Sequence, residues 1–140
     1  MNRDENLIPR LVSNLLGVQM SGLKSDLFSG DERLEKCLIE DAAHVIKGNK
    51  GEFVGKIQFA VLVLQRGSIQ ISEIQQMLYG DQTADMILAF KTQRKIINTN
   101  YQQTADNIVG KMTIRSLDDG MVEFEKQQRE LNDLNRRSLR

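Results

Sequence analysis

Three glycines that each lead into an apolar stripe of helical period constrain this chain more than any other feature. Gly51 precedes Val54, Ile57, Val61 and Leu64; Gly80 precedes Met86, Ile87, Phe90 and Ile97; Gly110 precedes Ile114, Leu117, Met121 and Phe124. Recurrence at three- and four-residue intervals puts each set on one face of a helix. Gly80 supplies a free backbone at the helix entry, and Asp81 or Thr83 offers a side-chain oxygen to the unpaired N–H groups of the first turn. Three short amphipathic helices joined by irregular connections predict an all-α fold, a compact three-helix bundle.

The same residues resemble a known family. The order Gly51-x-x-Val54-x-x-Ile57-Gln58-x-x-Val61, then Tyr79-Gly80-x-x-Thr83 and Phe90-Lys91, then Ile108-Val109-Gly110-x-x-Thr113-x-x-x-Leu117 is similar to the bacterial peptidoglycan-binding-like domain. That resemblance spans roughly Asp41 to Asp119. It implies a three-helix module that accompanies cell-wall hydrolases and recognises cell-wall glycopeptide, without their catalytic domain.

Outside the resemblance, Leu7, Ile8, Leu11, Val12, Leu15 and Leu16 form a wide apolar stripe that Gly17 closes; it predicts an extra N-terminal helix, either packed on the bundle or docking another protein. Positions 21–29 read as an irregular connector anchored by Leu23, Leu27 and Phe28. Ser29 and Glu32 have capping-box spacing ahead of a short helix burying Leu34, Cys37 and Leu38. His44-Val45-Ile46 reads as extended and 47–51 as a turn. The helix after Gly51 is expected to stop at Arg66-Gly67 in a left-handed cap. Ser72 is expected to cap a short turn of helix carrying Ile74, Met77 and Leu78. Asp119-Gly120 is a candidate break in the last helix, which alternatively runs on through Phe124 and Leu131 toward Leu134; past Phe124 the stripe weakens at Gln128 and Asn135, so the C-terminal extension reads as a frayed or partner-dependent tail. The organisation is therefore an N-terminal segment at 1–30, a helical domain at 31–120 and a charged helical tail at 121–140.

Charge and composition exclude several functions. With 19 basic and 19 acidic residues, the net charge of zero offers no long-range attraction to nucleic acid, and no recognition helix is basic. The longest apolar run, Phe59 to Leu64, is far short of the roughly 20 residues that span a bilayer, so no membrane insertion is expected. Arg3 is followed by Asp4 and Glu5, and Pro9, Arg10, Ser13 and Asn14 interrupt the apolar residues behind it, which is not a secretory signal. The expected location is cytoplasmic as synthesised; a cell-wall ligand would require export by a signal-independent route. Cys37 is the single cysteine, which rules out an intrachain disulfide.

The residue types of catalysis are sparse. His44 is the single histidine, and a zinc site wants about three or four ligands from Cys, His and carboxylates, so neither metal nor cofactor is expected. Cys37 and His44 lie seven residues apart; on one helix that is ~10 Å, beyond the reach of a nucleophile–base pair. Glu40-Asp41, Asp118-Asp119 and Asp31-Glu32 are sequence neighbours that point apart on a helix, whereas glycoside hydrolysis needs carboxyl groups about 5–9 Å apart across a cleft. Positions 47–51 lack the spacing of a phosphate loop. No catalytic residue is assigned and a non-enzyme is expected.

Binding remains. A saccharide site combines an aromatic platform with amides, hydroxyls and charges at a concave rim. Tyr79, Gln82, Tyr101, Asn107 and Lys111 are the candidates, because the connections around Tyr79 and Asn107 meet if the bundle forms. An aromatic content of 5% is lean for such a site. The expected ligand is peptidoglycan or its fragments. The alternative is an adaptor of a bacterial secretion or phage-like apparatus that binds a protein partner through Leu7–Leu16; self-association is compatible with the same stripe.

Overall fold

A computed structural model describes residues 22–98, 102 and 104–139; the Leu7–Leu16 stripe and Tyr101 lie outside them. The described residues are all-α, with five helices: α1 (Glu32–Ile39), α2 (Glu52–Leu64), α3 (Ile71–Gln76), α4 (Asp81–Arg94) and α5 (Lys111–Ser138), plus a 3-10 turn at Asp41–Ala43. Gly51, Gly80 and Gly110 are the N-cap residues of α2, α4 and α5, as their stripes predict. Val54, Ile57 and Val61 of α2, Met86, Ile87 and Phe90 of α4, and Ile114, Leu117 and Met121 of α5 are buried; Leu64 and Phe124 are half-buried at the core's margin. The core is shared more widely than by these helices: Leu23, Phe28, Leu34, Cys37, Leu38 and Val45 fill it as well.

The entries to the glycine-led helices are knitted together. Val45 and Val109 exchange both backbone hydrogen bonds at 2.9 Å, joining the chain ahead of α2 to the chain ahead of α5. The turn at 47–51 pairs with 77–79 through Gly48 N–H to Tyr79 O (2.9 Å), Tyr79 N–H to Asn49 O (2.8 Å) and Gly51 N–H to Met77 O (3.1 Å). Buried backbone groups need such partners, and these single bridges supply them without a sheet.

Several local expectations are corrected. The N-cap of α1 is Asp31, whose carboxylate accepts from Leu34 N–H at 3.1 Å, not Ser29. Glu35, not Glu32, reaches back, accepting from Leu23 and Gly30 N–H at 3.1 Å each. Helix α2 stops at Gln65 in extended conformation, so Gly67 is no left-handed helix cap; the left-handed caps fall on Met77 after α3 and Lys95 after α4. Arg94 of α4 finishes α2 instead, donating to Leu64 O (3.1 Å) and Gln65 Oε1 (3.2 Å) while lying 3.9 Å from the centre of the Phe90 ring. Helix α3 starts at Ile71 with Gln70 as its cap, one residue before Ser72. Helix α4 ends at Arg94, so Ile96 beyond it is buried and Ile97 only half-buried.

Helix α5 runs unbroken to Ser138 across Asp119-Gly120, the second of the two expected courses. A Cβ on Gly120 would meet Leu64 Cδ1 at 2.6 Å, so this glycine admits α2 at close range instead of ending α5. Asp118, itself buried, accepts from Lys24 N–H (2.8 Å) and Ser25 N–H (2.9 Å), and Glu125 accepts from Asp26 N–H (2.8 Å) and Leu27 N–H (3.0 Å). Two carboxylates seven residues apart on α5 thus hold 22–30 against the helix, with Phe28 fully enclosed beneath.

Candidate functional site

The 3-10 turn, the start of α5 and, between α4 and α5, Ile96, Asn98, Gln102, Asp106 and Ile108 line a cavity of about 350 Å³. Arg33 of α1 fixes one wall by donating to Ala43 O (3.3 Å) and His44 O (3.1 Å), which sets Asp41 and His44 at the rim. Lys91, from the last turns of α4, fixes the opposite wall: its buried ammonium donates to Asp106 Oδ1 (2.5 Å) and Ile108 O (2.8 Å). Asp106 Oδ1 also accepts from Ile108 N–H at 3.0 Å, and Gln102 donates to its other oxygen. Burial by itself would raise the Asp106 pKa, but these hydrogen bonds and the Lys91 charge outweigh it and hold the carboxyl below its ordinary value. The Lys91–Asp106 pair is thereby saturated and shapes the wall.

The groups left facing solvent are at the mouth. Lys111, half-exposed, lies 3.1 Å from the exposed carboxylate of Asp41. Hydrogen bonding and charge from Lys111, with a smaller contribution from His44, lower the Asp41 pKa. His44 Nε2 stands 3.4 Å from Asp41 Oδ1, close enough for an ion pair with a protonated imidazole but without hydrogen-bond geometry. A Cβ on Gly110 would sit 3.1 Å from the His44 ring, so the glycine that opens α5 also makes room for this imidazole. Among the described residues no Phe or Tyr lines the cavity, and no group of three His, Cys, Asp or Glu is placed to hold a metal ion.

Of the residues expected at a binding site, Lys111 is at the cavity. Tyr79 is fully buried; its hydroxyl donates to Asn107 O at 2.5 Å, and burial, then the nearby Asp106 and Cys37 charges, pushes its pKa far above the ordinary phenol value. It ties the entry of α4 to that of α5 and offers no platform to a sugar. Asn107 is half-buried on that same tie, with its neighbours Asp106 and Ile108 on the cavity wall. Gln82 is remote from the cavity, its side-chain oxygen accepting from Gln70 N–H between α3 and α4. Tyr101 lies outside the described residues.

Sequence reasoning missed Asp41, Asp106 and Lys91 as cavity residues and took His44 for a boundary residue. The Phe90-Lys91 pair was the available signal: a lysine directly after the stripe's largest residue needs an anionic partner when buried. The thiol of Cys37 is read correctly as a core group. It donates to Val109 O at 3.3 Å, and burial raises its pKa to about 11. No family model, no curated protein and no solved structure matches the chain.

Proposed function

We propose that the protein is a non-catalytic binding module of peptidoglycan-binding-like type, and that its ligand is a cell-wall glycopeptide held through the peptide portion. The observation that carries this reading is the mixed-charge mouth: Asp41 and Lys111 face each other 3.1 Å apart beside His44, on connections and a helix start instead of on a helix face. A peptide stem bearing both carboxylate and amino groups can exchange with that pair, each end replacing one partner of an exposed ion pair that is itself worth little in water.

Calorimetric titration with soluble muropeptides, beside glycan chains lacking peptide, tests this reading. Heat with the first ligand only, reduced by Lys111→Glu, is expected. Equal heat with both, or none with either, contradicts it.

The second reading, an adaptor of a secretion or phage-like apparatus that takes a protein partner through Leu7–Leu16, is favoured by apolar side chains left exposed on α2 and α5, Phe59, Leu131 and Leu134 among them.

A further inference from the structure

A second concavity, of about 480 Å³, lies between the 26–27 turn, α2 and the middle of α5. Its walls are Leu27, Phe59, Met121 and Phe124, and its far end carries Gln128 and Arg129. Phe59 is 51% exposed here, and Leu62, one turn on, is 37% exposed. Both belong to α2, whose other face is already spent on the core, so two large side chains face water with nothing among the described residues to cover them. Contiguous apolar surface of this kind marks a contact site.

We propose that this groove is the seat of residues 7–16 of the same chain. The chemistry matches, since Leu7, Ile8, Leu11, Val12, Leu15 and Leu16 recur at helical spacing as an apolar stripe. The dimensions match as well. Ten residues at helical rise span about 15 Å, and the α5 side of the groove, Met121 to Gln128, spans about 10 Å. The tether reaches: five residues lie between Leu16 and Gly22, and the six steps from one to the other span about 20 Å of extended chain. The chain that follows is pinned to the groove's own wall, because Glu125 of α5 accepts from the N–H groups of Asp26 and Leu27, and both of these residues line it. A short tether gives an effective concentration in the millimolar range. That favours the chain's own segment over a second copy in dilute solution. Burying the stripe and the groove together removes apolar area that neither can hide alone.

The test is paramagnetic broadening in the full-length chain. Ser13 falls on the polar side of the stripe, so Ser13→Cys carries a nitroxide without entering the interface. Cys37, buried with a thiol held protonated, stays unlabelled. The amide signals of Leu27, Phe59, Phe124 and Gln128 should lose most of their intensity, and nitrogen-15 chain mixed with labelled nitrogen-14 chain should lose none. In an unlabelled second variant, Leu11→Asp should shift those same four amides and no distant ones. Broadening confined elsewhere, or shifts elsewhere on Leu11→Asp, overturns the assignment. Broadening of the groove in the mixed sample overturns it in favour of a second copy.

Discussion

One oxygen of Glu73 accepts hydrogen bonds from both the N–H and the hydroxyl of Thr83, at 3.0 and 2.8 Å. The same carboxylate accepts from Gly80 N–H (3.1 Å) and Gln82 N–H (3.0 Å). A residue of α3 thus caps α4 in place of any side chain of α4's own first turn, taking three of the N–H groups that a helix start leaves unpaired. Gly80 has φ −97°, open to any residue, so its small size is what matters: a Cβ there would meet the Glu73 carboxyl carbon at 2.6 Å. Thr83 Oγ1 in turn accepts from Gln58 Nε2 at 3.0 Å, and Gln58 also donates to Leu78 O at 2.9 Å. Helices α2, α3 and α4 meet in this buried polar knot.

Glu73→Ala is expected to cost about 2–3 kcal/mol, the sum of a lost cap and of charge-assisted hydrogen bonds left unmade. Gly80→Ala should displace the same carboxylate, so chemical denaturation of the double variant should show less than the sum of the two single losses. Full additivity would mean that the two residues act independently.

Acid should weaken the same cap. Burial opposes ionisation of Glu73, but the hydrogen bonds from Thr83, Gln82 and Gly80 outweigh it and hold its pKa below the ordinary 4.5. A lowered folded-state pKa contributes stability that is fully present above the unfolded value and is lost as pH falls through the folded one. Asp106 titrates with the same sign. The thermal midpoint of the native protein should therefore drop as pH falls below about 4.5. Glu73→Gln should lower the midpoint at pH 7 and flatten that acid dependence. An unchanged acid slope in the variant would remove Glu73 from the account.

Phe90 is fully buried under the Arg94 guanidinium. Phe90→Ala should cost about 3–5 kcal/mol in urea unfolding, as enclosed aromatic truncations do. Asp118→Ala should cost about 1–3 kcal/mol by leaving the Lys24 and Ser25 N–H groups without their acceptor. It should also raise amide exchange at 22–30 specifically. Uniform loss of protection across the chain would contradict a local clasp.

The stripes were legible because buried helix faces repeat at fixed intervals: Val54, Ile57 and Val61, or Ile114, Leu117 and Met121, need no knowledge of their neighbours. The caps were not. Glu73 lies ten residues before Thr83, and nothing in that spacing distinguishes it from a solvated glutamate. Asp118 and Glu125 serve N–H groups more than ninety residues away. The reason for Gly120 inside α5 was hidden as well: Leu64, which fills the space a Cβ would take, is brought there only by packing. Tyr79 was visible as a large residue beside a glycine, but whether its ring faces a ligand or the core is decided by the 96–110 connection.

Residues 126–139, the end of α5 and its C-cap, are exposed, and no core residue among the described ones packs against them. Helices held by few tertiary contacts open locally at low free energy. Its amides past position 126 should exchange far faster than those of 112–121 while circular dichroism retains their helical signal. Equal protection along the helix would require a packing partner.

The proposed ligand enters at the Asp41–Lys111 mouth. The most direct measurement is amide chemical-shift mapping of the full-length protein during titration with a soluble muramyl peptide. Saturable shifts clustered at Asp41, His44, Gly110, Lys111 and Met112 are expected, abolished by Lys111→Glu with the folded spectrum intact. Saturable shifts centred away from this mouth, or shifts that survive Lys111→Glu unchanged, would contradict it.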